Sequence, residues 1–262
     1  MTIFQAIIYG IVQGIGEFLP ISSTAHLIFL SKLFGTDPGT VFDVALHLGT
    51  AVAVLLFFIK DWIRLIRAGF TKPKSNDGKL FWLLVLATIP GGIAGVALDK
   101  YMGGFNNTAL IGLMLIIMGI VLYAADKLGR NEIDLHRIGV SRSLLVGISQ
   151  VLAVVPGVSR SGATMSAGRA LGITRESIAR FTFLMSAPLI LGDALFHAKD
   201  LGSAKIPVAP FIVAVLTAAV VGILSIRFLL NYLKRNSFGV FAVYRFIVGT
   251  LAIILFFLKV IK

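Results

Sequence analysis

Six apolar stretches of about 20 residues limit the folds available to this chain more than any other feature of its sequence. A helix of that length crosses the roughly 30 Å of hydrocarbon in a bilayer. The composition agrees, because 57% of the 262 residues are hydrophobic and 14% are charged, whereas about 25% of a typical soluble domain is charged. We therefore predict an all-α polytopic membrane protein with six transmembrane helices, near residues 41–59, 80–98, 108–125, 181–198, 206–226 and 239–258.

Two further apolar stretches, residues 3–33 and 144–172, contain residues that interrupt helices. Pro20 and the run Ser22-Ser23-Thr24 interrupt the first stretch, and Pro156-Gly157 followed by residues 159–162 interrupts the second. Non-helical backbone at membrane depth is tolerated only where protein or a water-filled cavity surrounds it. We therefore predict two re-entrant helix hairpins in addition to the six spans.

The basic residues predict one orientation in the membrane. A net charge of +12 would suggest nucleic-acid binding in a soluble protein, but here we attribute the charge to membrane topology and expect no nucleic-acid partner. Sixteen Lys and Arg residues lie on one side of the predicted spans, including those of a predicted loop at residues 60–79, and six lie on the other side. The positive-inside rule makes the first side cytoplasmic, so the first hairpin enters the membrane from outside.

The order of elements repeats, because a hairpin followed by three spans occurs twice. Each repeat crosses the membrane an odd number of times, so the two copies must have opposite orientations. We predict one membrane domain over residues 1–262, with repeats near 1–125 and 143–262 and a site near the midplane where the repeats meet. The matched residues are Gly10/Gly147 and Gln13/Gln150 at an offset of 137, Phe81/Phe211, Gly92/Gly222, Asn106/Asn236 and Gly119/Gly249 at an offset of 130, and the Pro–Ser pairs Pro20/Ser23 and Pro156/Ser159.

The first hairpin brings reactive side chains together within about ten residues. Gln13 and Glu17 are four residues apart, so they share one helix face. Pro20 ends that helix, the hydroxyl run forms the turn, and His26 lies in the first turn of the next helix. An ionised side chain inside a membrane is costly and usually functional. A turn capped by hydroxyls, with Glu17 paired to a basic residue, is the structural alternative.

Arg160 is the most informative residue of the second hairpin. An arginine within an apolar membrane segment costs about 2.5–3.5 kcal/mol on insertion scales, so Arg160 needs a partner. Glu17 and a bound anion are both candidates. The small residues, hydroxyls and new helix N-terminus around Arg160 favour phosphate, which a guanidinium binds in a bidentate manner.

The two hairpins together contain the groups needed for phosphoryl transfer or hydrolysis. A hydroxyl could attack as nucleophile, and a water activated by the same base would serve equally. An alternative function is transport, in which a flippase or anion transporter moves a lipid phosphate or another anion through the same inverted-repeat site.

Both hairpin sequences resemble the signatures of one family of membrane phosphatases. The stretch from Gln13 through Glu17 to His26 resembles the first signature of the BacA/UppP family of undecaprenyl-diphosphate phosphatases, and Pro156 to Thr164 resembles the second. The resemblance implies hydrolysis of undecaprenyl diphosphate, which recycles the lipid carrier of peptidoglycan and cell-wall synthesis, and a role in bacitracin resistance. It also implies a site that faces the outer, periplasmic side of the cytoplasmic membrane, a polyprenyl diphosphate entering from the bilayer, and a divalent cation, Mg²⁺ or Ca²⁺.

The resemblance also assigns residue roles. Glu17 becomes the essential carboxylate and the expected metal ligand, Ser23 the candidate nucleophile, His26 the nearby imidazole and Arg160 a catalytic phosphate-binding group. The neutral Gln13 occupies a position where a second carboxylate can stand. The oligomeric state stays open, with a homodimer as one option. The residues expected to contact the substrate are Gln13, Ser22, Thr24, Ser159, Ser161 and Thr164.

Three other polar residues in apolar segments have open roles. Asp43 and His47, four residues apart, could support the site or simply join two helices. Arg245 could extend to the cytoplasmic surface or reach the core of the protein.

Overall fold

Helices form the framework of the part of the chain that the computed structural model describes, residues 1–36, 39–102, 107–196 and 208–260. The first half contains α1 (Ile3–Phe18), α2 (Ser23–Phe34), α3 (Thr40–Phe57), α4 (Ile59–Thr71), α5 (Asn76–Met102) and α6 (Thr108–Leu128). A 3-10 turn (Leu135–Arg137) leads to the second half, which contains α7 (Gly139–Ser149), a 3-10 segment (Gln150–Val154), α8 (Arg160–Ala170), α9 (Arg175–Phe196), α10 (Val208–Leu233) and α11 (Gly239–Phe257).

The spans confirm a polytopic all-α membrane protein. Within the described residues, four helices are long and apolar enough to cross a membrane, Asn76–Leu98, Thr108–Leu128, Val208–Leu233 and Gly239–Phe257. The span predicted at 41–59 corresponds to α3, which qualifies only together with α4, from which it is bent by 72°. The span predicted at 181–198 lies on α9, which is not among the helices that qualify by length and composition, and its last two residues fall outside the described part of the chain.

The predicted loop at residues 60–79 is wrong in its first half, because α4 occupies residues 59–71. Leu65 and Gly69 are buried on one face of α4, and Gly69 lies against Phe81 of α5. Arg64 and Arg67 are exposed on another face. Leu65 and Gly69 are four residues apart, a spacing typical of the buried face of a helix. The basic residues around them led to the prediction of a loop.

Both predicted hairpins are interrupted where the sequence indicated. α1 ends at Phe18 and α2 begins at Ser23, while the 3-10 segment after α7 ends at Val154 and α8 begins at Arg160. Ser22 and Ser159 are the N-cap residues of α2 and α8, and they share left-handed backbone angles, with φ values of 75° and 73°. Ser22 therefore corresponds to Ser159 at the offset of 137, and the alignment of Ser23 with Ser159 through the Pro–Ser pairs is wrong by one residue.

Equivalent helices of the two halves make equivalent contacts. α1 packs on α10 as α7 packs on α5, and α3 packs on α10 as α9 packs on α5, while α6 packs on α11. A Cβ added at Gly10 would lie 2.7 Å from Thr217, and one added at Gly147 would lie 2.4 Å from the carbonyl of Ala87. These two contacts are related by the same offsets, 137 and 130, that the sequence matches show.

Asp126 supports the second hairpin from the far end of α6. Its carboxylate accepts hydrogen bonds from Arg169 at 2.9 Å, from Arg175 at 2.7 Å and from the backbone N–H of Phe238 at 2.9 Å. Arg169 is one of the sixteen basic residues predicted on the cytoplasmic side, but its side chain is fully buried at the end of α8. Asp126 thus joins α6, α8, α9 and the start of α11.

Candidate active site

Glu17 lies at the end of α1 and accepts hydrogen bonds from both sides of the first hairpin. Ser23 Oγ, at the start of α2, donates to Glu17 Oε2 at 2.8 Å, and Gln13 Nε2 donates to the same oxygen at 3.2 Å. Gly16 permits this approach, because a Cβ at Gly16 would lie 2.7 Å from Ser23 Cα. The local sequence therefore brings a carboxylate and a hydroxyl into direct contact.

Arg160 reaches Glu17 from the second hairpin. Its Nη2 forms an ion pair with Glu17 Oε1, so the structure shows Glu17 as the partner of Arg160, one of the two that the sequence left open. The Glu17 side chain is 8% exposed and that of Arg160 is 22% exposed. A guanidinium has five N–H donors, and the exposed part of Arg160 leaves donors for a further anion.

The two hairpin loops meet through Arg245, which is fully buried. Its guanidinium donates to Pro20 O at 3.0 Å in the first loop and to Gly157 O and Val158 O at 2.7 and 3.1 Å in the second. Its Nε donates to Leu115 O of α6 at 3.1 Å. Of the two positions considered for Arg245, the structure therefore shows the core.

The N-termini of α2 and α8 both lie at this junction. Ser22 Oγ caps α2 by accepting from the N–H of Ala25 at 3.4 Å, and Ser159 Oγ caps α8 by accepting from the N–H of Gly162 at 3.1 Å. Ser161 Oγ joins the loops by donating to Leu19 O at 3.1 Å. The other first-turn N–H groups of a helix have no acceptor within it, so two helix N-termini supply donors and partial positive charge beside Arg160.

His26 contacts other groups than Ser23. Its Nδ1 lies 2.7 Å from the carbonyl of Ser22, and its Nε2 lies 2.8 Å from the hydroxyl of Tyr244 on α11. The Tyr244 ring also stacks on the imidazole, with centroids 5.6 Å apart and an interplanar angle of 15°. Both ring nitrogens of His26 are therefore engaged by groups other than Ser23, whose hydroxyl contacts Glu17.

The remaining predicted substrate contacts lie in three different surroundings. Ser159 Oγ lies 3.1 Å from Ser161 Oγ, so both serines belong to the loop junction. Thr24 is exposed in the first turn of α2. Thr164 is turned away from Glu17, because its hydroxyl donates to Arg160 O at 2.8 Å and accepts from Thr182 of α9 at 3.0 Å.

The side-chain oxygens of Glu17 and Gln13 are compatible with a cation that also binds the substrate. Gln13 is fully buried and its Oε1 has no hydrogen-bond partner. Over the described residues, the protein contains no group of three His, Cys, Asp or Glu side chains that could hold a metal by itself. Mg²⁺ is usually held by one or two carboxylates together with substrate phosphates and waters, so Glu17 and Gln13 Oε1 fit such a site.

Three residues were missed or left open by sequence reasoning. The contact of Tyr244 with His26 had no signal in the sequence, because it depends on α2 lying beside α11. Arg245 carried the same signal as Arg160, a charge within an apolar segment. His47 Nδ1 lies 2.8 Å from the carbonyl of Asp43 on the same helix.

The fold and the site define a class of protein, a multi-pass membrane protein in which two interrupted helix hairpins hold a carboxylate, a hydroxyl and an arginine together. The chain belongs to the BacA family, because the model of this family, described as bacitracin resistance protein BacA, matches residues 6–251. The resemblance inferred from the two hairpin motifs is thereby confirmed.

Several relatives are similar over the full length of the chain, and each is named undecaprenyl-diphosphatase. The protein from Moorella thermoacetica is 50% identical over 99% of this chain and 100% of its own length. The protein from Pelotomaculum thermopropionicum is 49% identical over 97% of both chains, and that from Caldicellulosiruptor bescii is 44% identical over 100% of both.

Proposed function

We propose that this chain is an enzyme that hydrolyses undecaprenyl diphosphate to undecaprenyl phosphate and phosphate, and so recycles a lipid carrier of cell-wall synthesis. One observation carries the proposal. The Glu17 carboxylate contacts the Ser23 hydroxyl within the first hairpin and the Arg160 guanidinium across the junction of the two hairpins. The full-length similarity to proteins named undecaprenyl-diphosphatase supports the same substrate.

The diphosphate would bind between the two hairpin loops. Arg160 and the N-termini of α2 and α8 would neutralise its charge, in a site of low dielectric where such interactions are strong. The apolar tail would stay between helices in the bilayer. Binding would draw the guanidinium of Arg160 partly away from Glu17, which leaves the carboxylate free to accept a proton.

The reaction would begin with transfer of the Ser23 hydroxyl proton to Glu17. Ser23 Oγ would attack the terminal phosphorus, the bridging P–O bond would break, and undecaprenyl phosphate would leave with the electron pair of that bond. Glu17 would pass this proton to the leaving undecaprenyl phosphate. The ionised carboxylate would then deprotonate a water that hydrolyses the phosphoserine, and its proton would return to Ser23 Oγ as phosphate is released. In the alternative route, water attacks the terminal phosphorus directly and Ser23 only positions Glu17.

The proposal includes a divalent cation, Mg²⁺ or Ca²⁺. Glu17 and Gln13 Oε1 would hold it together with oxygens of the diphosphate. When bound, the cation would neutralise negative charge on the transferred phosphoryl group.

The proposal also includes a location in the cytoplasmic membrane, with the site open to the outer side. The asymmetry of 16 basic residues against six supports this orientation.

Phosphate release from a polyprenyl diphosphate in detergent tests the function. Purified wild type should release phosphate in the presence of Mg²⁺ or Ca²⁺ and much less after chelation. The activity of Glu17→Ala should be lower by a factor of at least about 100, which is the low end of the range for loss of a general base. Glu132→Gln changes an exposed carboxylate in the loop after α6 and should retain activity.

A folded wild type that releases no phosphate under these conditions would contradict the proposal. Lipid flipping in vesicles would then test the transport alternative, which predicts movement of a lipid phosphate without phosphate release.

A further inference from the structure

The hydrogen bonds of His26 define which of its two ring nitrogens carries the hydrogen. The carbonyl of Ser22 can only accept, so His26 Nδ1 must carry a hydrogen. Nε2 of the neutral ring is then an acceptor, and the Tyr244 hydroxyl donates to it. The one basic nitrogen of His26 is therefore covered by Tyr244, in a site where an uncovered Nε2 could contact a phosphate.

Tyr244 belongs to the outward surface of α11. It is 39% exposed, and its neighbours at helical spacing are apolar and more exposed, as expected for a lipid-facing stripe. The Tyr244 hydroxyl reaches inward from this stripe to His26. The exposed apolar residues of the stripe are Val240, Val243, Ile247 and Leu251.

The boundary between α2 and α11 is lightly packed in the described part of the chain. α2 packs mainly on α1 and makes smaller contacts with α6. Phe29 of α2 and Val248 of α11 pack against one small cluster that includes Leu115 of α6. The paired rings of His26 and Tyr244 complete the wall between the site and the lipid-facing stripe.

Arg245 restricts how this wall can open. Its side chain is fixed to both hairpin loops and to α6, so the backbone of α11 beside Tyr244 is held in place. Opening of the boundary at Tyr244 therefore calls for movement of its partly exposed side chain rather than of the helix.

We propose that Tyr244 is a latch at the lipid-facing boundary between α2 and α11. In the substrate-free protein it covers His26 Nε2 and closes the boundary. A polyprenyl diphosphate that enters from the bilayer displaces the Tyr244 ring, and His26 Nε2 then contacts the diphosphate. Tyr244 acts through His26, so it is a positioning residue, and its role rests on the proposed function.

The latch is tested first by NMR of protein labelled with ¹⁵N in its four histidines. His26→Gln assigns the His26 signals. Tyr244→Phe keeps the stacked ring and removes the hydroxyl, so the Nε2 signal of substrate-free protein should shift. In wild type, the same signal should shift when a methylene-bridged, non-hydrolysable polyprenyl diphosphate binds. Tyr123→Phe, on an exposed position of α6, should leave it unchanged.

Steady-state kinetics supply the second measurement. If Tyr244 must leave His26 before the substrate binds, Tyr244→Phe makes opening easier. KM for the polyprenyl diphosphate should then fall about 2- to 10-fold, as expected for the loss of one hydrogen bond, with kcat within about threefold of wild type. Tyr123→Phe should change neither constant.

Two results would overturn the latch. One is a His26 signal that stays unchanged when the analogue saturates the wild type. The other is a Tyr244→Phe variant in which kcat falls and KM does not, because this pattern describes a tyrosine that stays bonded to His26 throughout turnover. The NMR measurement needs binding but no turnover, so hydrolysis with an unmoved His26 signal rejects the latch alone, and a moved signal without hydrolysis rejects the proposed function alone.

Discussion

Among single residues, Glu17 makes contacts that connect three polar groups of the site from two hairpins. Its carboxylate accepts from Ser23 and Gln13 on one oxygen and pairs with Arg160 on the other. A carboxylate at membrane depth is costly unless it is paired and hydrogen-bonded. The same contacts that stabilise the charge of Glu17 also direct it at the Ser23 hydroxyl.

Ser23→Ala should therefore distinguish the two routes of attack. If Ser23 is the nucleophile, the variant should lose at least about 100-fold in kcat, while its thermal midpoint in detergent stays close to that of wild type. Ser141→Ala, an exposed serine on α7, is the matched control and should be fully active. Turnover of Ser23→Ala within about tenfold of wild type would favour direct attack by water.

Among the elements, the first hairpin depends on the close approach of α1 and α2. Gly16 faces the backbone of Ser23, so any larger side chain would separate the two helices at the site. The left-handed conformation of Ser22, which costs of order 1–3 kcal/mol for a residue other than glycine, is stabilised by the cap that it forms on α2. The hairpin geometry is thus a compromise between local strain and the placement of Ser23.

Gly16→Ala should displace Ser23 from Glu17 and reduce kcat by about 100-fold, since a shift of about 1 Å at a reacting group can cost that much. Gly95→Ala in α5 is the control, because it makes the same change in a helix but meets nothing within 4 Å. Both variants gain helix propensity, so only the collision differs. Equal activities of the two variants would show that the approach at Gly16 is unimportant for catalysis.

In the whole molecule, Arg245 joins the two halves. It donates to carbonyl groups of both hairpins and of α6, so the reactive groups of the first hairpin have a fixed position relative to Arg160.

Arg245→Lys should keep the charge but cannot span these carbonyls, because a lysine ammonium is a compact group without the planar guanidinium fork. Buried acceptors left unsatisfied cost about 1–3 kcal/mol each, so we expect a stability loss of about 2 kcal/mol or more and a lower thermal midpoint, with activity reduced in parallel. Arg227→Lys, exposed on α10, should change neither. An unchanged midpoint for Arg245→Lys would contradict the joining role.

Local sequence was sufficient to predict four of the six spans and the interruptions of the two hairpins, because apolar length, proline, glycine and capping serines act over a few residues. The pairing of Glu17 with Arg160 and of His26 with Tyr244 was decided only by tertiary structure, since these partners are 143 and 218 residues apart. The same holds for Arg245, whose charge demanded partners that the sequence could not identify. Long-range contacts depend on which helix faces pack together, and in an apolar chain many faces look alike until the two halves meet.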